Sequence, residues 1–162
     1  MKFKDHNLYF ILRNDHPNST YHYDLNLESL KQLGEKWLID KDYSTQLIFD
    51  IFKDEHTHIG FFQFSNIKWI NRKAEITFVL FESYQHQGYG NQILSPFLSL
   101  AFNTYNFHRL EAEVYETNPA SIHLLEKSGF ILEGRKREAK FQDGKYIDIL
   151  CYGLLAKDYN LR

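Results

Sequence analysis

The chain is poor in the residues that would commit it to several common protein classes. Among 162 residues there is one cysteine, Cys151, so no internal disulfide framework is available, and a lone thiol fits a reducing cytoplasm. Proline occurs only at Pro17, Pro96 and Pro119, and no Pro- or Ser-rich linker, repeat or low-complexity stretch interrupts the chain. The formal net charge of −2 lacks the basic excess that a nucleic-acid surface needs. No run approaches the ~20 apolar residues of a membrane span, and the polar start does not read as a signal peptide. The eight histidines show no ligand spacing with cysteine or carboxylates, so no metal is expected. The length suits a single domain, residues 1–162, with one core.

Aromatic residues, by contrast, make up 17% of the chain and fall mainly in apolar runs without basic interleaving. They read as core and pocket lining rather than a base-stacking platform. Alternation and β-branching predict strands at Phe3–Arg13, Gln46–Phe52, Ile59–Trp69, Ala74–Phe81, Arg109–Tyr115, Phe130–Phe141 and Lys145–Leu155. Gln142-Asp143-Gly144 is a hairpin signal between the last two. Helical spacing is found in Leu27–Asp40 and again after Gly90, where Pro96 predicts a bend or irregular first turns. The order gives an α/β (α+β) fold with a mixed sheet of six or seven strands.

The segment Tyr84-Gln85-His86-Gln87-Gly88-Tyr89-Gly90 stands between the strand Ala74–Phe81 and the apolar helix carrying Ile93, Leu94, Phe97 and Leu98. A strand that turns through glycines into a helix aims backbone N–H groups, and the helix dipole, at one point, which suits phosphate. A plain strand-to-helix turn recruits glycines too. Gly90 is followed by Asn91-Gln92, not the Lys-Ser or Lys-Thr of a mononucleotide loop, and a dinucleotide fingerprint would need a third glycine. Further on, Asn118 suits an N-cap, Pro119 the first helical position, and Gly129 the residue past the end of a short helix.

Gln85-x-x-Gly88-x-Gly90, followed in order by N-P-A-S-I-H-L-L-E-K-S-G-F from Asn118 to Phe130, resembles the two coenzyme-binding motifs of the GCN5-related N-acetyltransferases. Glu133-Gly134-Arg135 and the Asp143–Asp148 segment are similar to the branch holding ribosomal-protein N-terminal acetyltransferases (alanine or serine) and polyamine acetyltransferases. The likeness covers roughly residues 58–158, with the acetyl-CoA motifs in 74–103 and 109–130; residues 1–45 diverge and would form the acceptor side. The resemblance implies a mostly antiparallel sheet with splayed central strands and direct acetyl transfer from acetyl-CoA to a primary amine. It implies a protein N-terminal amine first and a polyamine or other small amine as the alternative. A coenzyme-binding sensor module is an alternative of another class. A homodimer is common among relatives.

For the site, the resemblance implies that the main chain of Phe78, Val79 and Leu80 meets the pantetheine arm and polarises the thioester. Gln85, His86, Gln87, Gly88, Tyr89, Gly90 and Asn91 would meet the pyrophosphate, and Asn118 and Ser121 would lie near the pantetheine. Leu125 stands where many relatives carry an acid tyrosine, so Ser121 is the candidate proton donor to the departing thiolate, against the plainer reading of a surface serine. Lys140 occupies the place of a glutamate frequent in the ribosomal-protein branch. Glu75 is the candidate base through water, or else a strand carboxylate paired with Arg72 or Lys73. Arg135-Lys136-Arg137 reads as a solvated strand face, Cys151 and Tyr152 as core, and Trp37, Tyr21 and Tyr23 as candidate acceptor walls.

Overall fold

A computed structural model describes residues 8–13, 20–24, 45–54 and 56–159, with backbone alone for 9–13 and 20–24. Among the described residues eight strands form one sheet: β1 (Tyr9–Arg13), β2 (Thr20–Asp24), β3 (Leu47–Phe52), β4 (His58–Lys68), β5 (Lys73–Leu80), β6 (Arg109–Tyr115), β7 (Ile131–Gln142) and β8 (Lys145–Leu155). Their order across the sheet is β2-β1-β3-β4-β5-β6-β8-β7, and only β5 and β6 run parallel. The expected mixed, mostly antiparallel architecture is therefore found, with eight strands where six or seven were anticipated. The addition is Thr20–Asp24, a short polar segment without enough alternation to be read as a strand. The helix expected at Leu27–Asp40 lies outside the described residues.

The described residues also form the α-helices α1 (Tyr89–Ser99), α2 (Pro119–Lys127) and α3 (Ala156–Tyr159). Helix α1 buries Ile93, Leu94, Phe97 and Leu98, the stripe its spacing announces. Phe97 stacks on Phe62 of β4 at 3.9 Å and contacts Phe49 of β3 at 5.0 Å, which fixes α1 across the sheet. Despite Pro96, α1 is regular from its first turn; the irregularity is a π turn at Leu100–Thr104, one turn beyond. There Tyr105 N–H donates to the Leu100 carbonyl at 2.9 Å, a bond spanning five residues.

The β7–β8 hairpin turns at Asp143 and Gly144 with φ of 50° and 80°, the doubly left-handed turn that Asp-Gly favours. Strand β7 is a sheet edge and almost wholly exposed. Arg135 pairs there with Glu116 and Asp148, and Lys136 with Glu113, so the basic run is a solvated, ion-paired face as expected. Charge of this kind blunts an open sheet edge against further pairing. Cys151 is half-buried, opposite Glu113 in the β6–β8 ladder, rather than in the core.

Candidate active site

The site begins where two neighbouring strands part. Strands β5 and β6 pair only through Lys73, Ala74 and Glu75, opposite Arg109, Leu110 and Glu111. Beyond Glu75, β5 continues against β4, with Phe62↔Phe78, Phe61↔Val79 and Gly60↔Leu80 in register, while β6 stays with β8. The splay expected between the central strands is thus present. Strand alternation decides which main-chain groups face the gap. Phe81 N–H donates to the Ile59 carbonyl at 2.9 Å, so Phe81, and two residues earlier Val79, direct their main chain toward β4. Phe78 and Leu80 direct theirs into the gap.

At the end of β5 a 3-10 turn, Glu82–Tyr84, leads into the glycine turn. His86 and Gly88 both adopt left-handed φ, 59° and 83°, and Gly88 is the N-cap residue of α1. No side chain caps that helix start among the described residues, which leaves its first turn to a ligand or to water. A Cβ on Gly90 would come within 2.9 Å of Leu124 Cδ2, so the absence of a side chain lets α1 approach α2 closely.

Helix α2 is bounded as its sequence requires. Asn118 Oδ1 accepts from the Ser121 N–H at 3.1 Å, Pro119 opens the helix, and Gly129 closes it with φ of 96°. Gly129 N–H donates to the Glu126 carbonyl and Phe130 N–H to that of Leu125, both at 3.0 Å, the paired bonds of a Schellman end. Leu125, where the resemblance would place an acid tyrosine, is buried in the core. The Tyr152 hydroxyl donates to Glu126 Oε1 at 3.0 Å and ties α2 to β8. Partial burial, and then the Glu126 carboxylate, push that hydroxyl's pKa up, so it stays a donor at neutral pH.

Between the parted strands, the glycine turn and α2 lies a cavity of about 420 Å³, a size suited to a small-molecule site. Phe78, Val79 and Leu80 form one wall, and Gln85, His86, Gly88, Gly90 and Asn91 the end. Asn118 and Ser121 stand on the α2 side. Two of the expected residues, Gln87 and Tyr89, are not among those lining the cavity. Tyr89 buries its side chain in the core, and the Gln87 amide donates to the Ser83 carbonyl at 2.7 Å. Glu75 does not line the cavity either. Its carboxylate accepts from Asn66 Nδ2 at 2.7 Å, not from Arg72 or Lys73; Lys73 instead donates to Glu111 at 2.9 Å.

Sequence reading passed over Ala120, His123, Leu124 and Lys127 of α2, which also line the cavity. Ser121, Leu124 and Lys127 are spaced by three, so they share a helix face, and that spacing was the available signal. A second cavity of about 350 Å³ adjoins the first through Asn91 and Lys127 and reaches Tyr159. Trp37 and the side chains of Tyr21 and Tyr23 lie outside the described residues, so the acceptor walls are not placed. Among the described residues no cluster of His, Cys, Asp and Glu could hold a metal, and no helix is long and apolar enough to cross a membrane.

A strand edge left open beside a helix start without a side-chain cap has the geometry to pair with an extended amide-bearing arm and receive its phosphates. Comparison with known proteins agrees. Residues 2–131 match the family model described as "Acetyltransferase (GNAT) domain", and the chain belongs to that family. It is 26% identical to the spermidine N(1)-acetyltransferase of Vibrio cholerae over 148 residues, 91% of this chain and 86% of that protein. It is 33% identical to the ribosomal-protein-serine acetyltransferase of Escherichia coli over 105 residues, 65% of this chain and 58% of the relative. Among solved structures, the Vibrio cholerae spermidine N-acetyltransferase in complex with CoA and spermine superposes with a TM-score of 0.68 at 26% identity, over 84% of this chain and 79% of that one. The chain is an acetyl-CoA-dependent N-acetyltransferase that acts on an amine.

Proposed function

We propose that the acceptor is a primary amine of a small aliphatic polyamine. The observation that carries this reading is the extent of the likeness: the spermidine acetyltransferase aligns with 91% of the chain, including part of the divergent acceptor side, against 65% for the ribosomal-protein enzyme. A protein N-terminal amine is the second reading, supported by the higher identity of that shorter alignment, 33%. A dodecameric structure of the spermidine enzyme supports self-association of this chain as well.

The residues divide the work simply. Acetyl-CoA supplies a thioester, an electrophilic carbonyl with a thiolate leaving group. The first turn of α1 and the left-handed turn at His86 and Gly88 would hold its pyrophosphate. The open edge at Phe78 and Leu80 would pair with the pantetheine arm as an added strand, and their N–H groups are the donors available to a developing oxyanion. Val79, whose main chain faces β4, would contribute its side chain only. Ser121 is the proposed proton donor to sulfur, because it sits in the cavity wall on a helix pinned by Asn118 and Glu126. Glu75 is the proposed base only through a water relay, since its carboxylate is bonded to Asn66.

Thiol release from acetyl-CoA, measured across spermidine, spermine and peptides with free N-termini, tests the acceptor. Turnover with the polyamines and none with peptides supports the proposal; the reverse pattern replaces it with the second reading. Ser121→Ala should lower kcat by about tenfold or more with little change in KM for acetyl-CoA. An unchanged kcat removes Ser121 from the chemistry.

A further inference from the structure

The open edge of β5 carries one carbonyl that the cavity does not receive. Leu80 directs its main chain into the gap, yet its carbonyl accepts from Gln85 Nε2 at 2.9 Å. Tyr84 N–H donates to the Phe81 carbonyl at 2.8 Å, and Gln85 N–H to that of Glu82 at 3.2 Å, inside the loop the side chain closes. Gln85 is therefore joined twice to the segment it follows, immediately before His86 and Gly88 take left-handed φ.

We infer that Gln85 is a positioning residue for acetyl-CoA, acting through Leu80 and not by its own contact with the reacting atoms. Its amide occupies one of the two acceptor positions of the Leu80 carbonyl and turns that carbonyl toward the loop, so that at this level the β5 edge meets the arm chiefly through the Leu80 N–H. The same bond fixes the distance between the β5 edge, where the arm pairs, and the turn, where the phosphates sit. Loss of that bond would leave the Leu80 carbonyl without its donor and release the turn from the strand. The inference rests on the acetyl-CoA reading of the cavity and assigns Gln85 a role distinct from coenzyme contact.

Gln85→Glu and Gln85→Met test it. In Gln85→Glu the ionised carboxylate cannot donate and faces the Leu80 carbonyl with like charge, whereas the protonated carboxyl can donate again. The KM of that variant for acetyl-CoA, taken as a ratio to wild type at each pH, should rise about tenfold at pH 8 and return toward unity near pH 5. Calorimetry with CoA, which needs no amine, should show the same pH-dependent ratio. Gln85→Met, of similar size with no donor, should raise KM several-fold at every pH, with kcat near wild type. A pH-independent ratio for Gln85→Glu, or wild-type or tighter CoA binding in Gln85→Met, overturns the inference. If the wild-type protein itself binds no CoA, the reading of the cavity fails instead, and the two failures are told apart.

Discussion

Gly60 offers the sharpest physical test of how the site is built. It stands opposite Leu80 in the β4–β5 ladder. A Cβ placed there would lie 3.0 Å from Leu80 Cα and 3.0 Å from the Val79 carbonyl carbon, with the Val79 oxygen closer still. Ordinary carbon–carbon contacts are about 3.5–4.0 Å, and the Val79 oxygen is the limiting contact, so β4 and β5 must separate by roughly an ångström or more. Both partners are backbone, so no rotamer change relieves the clash. In Gly60→Ala, β5 yields toward the side where β6 no longer holds it, which is the cavity edge at Phe78–Leu80. Overpacking of this kind costs about 1–3 kcal/mol. For a chain of this length that is roughly 2–4 °C in Tm per kcal/mol, or about 4–8 °C for a 2 kcal/mol loss. Differential scanning calorimetry should record that drop, and steady-state kinetics should show a raised KM for acetyl-CoA. Gly134→Ala is the control: a Cβ there meets nothing within 4 Å, and its Tm should stay within about a degree of wild type. An unchanged Tm and KM in Gly60→Ala would refute the account of the β4–β5 approach.

Three further outcomes follow from other parts of the fold. Asn118→Ala should lose about 1 kcal/mol by removing the acceptor for the Ser121 N–H, measurable by urea unfolding, while Asn118→Asp should retain most of it. Among the described residues the buried Tyr105 hydroxyl has no hydrogen-bond partner, and burial drives its pKa up, so Tyr105→Phe should be neutral or stabilising by about 1 kcal/mol; a clear loss would mean that another group holds the hydroxyl. Acid should weaken the protein through Glu133 and Glu111. Hydrogen bonds from Arg109 hold the Glu133 pKa below its ordinary 4.5, and for Glu111 burial pulls upward but bonds from Arg109 and Lys73 outweigh it. Both contributions are present above the unfolded carboxylate pKa and are lost as pH falls through the lower folded values. Arg109→Met should therefore flatten the dependence of unfolding free energy on pH below about 5, and an unaltered slope would contradict this.

Much of the fold was legible because period-two alternation is a local signal. Arg109–Tyr115 and Lys145–Leu155 have the predicted bounds, and the strands from Leu47 to Leu80 and at Ile131–Gln142 lie within a residue or two of theirs. The caps of α2 were equally plain, since Asn118, Pro119 and Gly129 each answer a local backbone demand. The glycine turn could be located from spacing, and most of its residues line the cavity. What escaped were several side-chain placements set by partners on other elements. Glu75 proved bonded to Asn66, Cys151 sits half-buried across from Glu113, and Tyr89 turns into the core.

Local residue order was enough for most strands, the turn that enters α1 and the boundaries of α2, because dihedral preference and side-chain periodicity act over a few neighbours. It took the assembled sheet to establish that β5 leaves β6 after Glu75, that the main chains of Phe78 and Leu80 face the gap while Val79 faces β4, and that Ser121 and Gly90 border one cavity. Those facts depend on which strand lies beside which and in what register, and a hydrogen-bonding direction has no expression in side-chain identity.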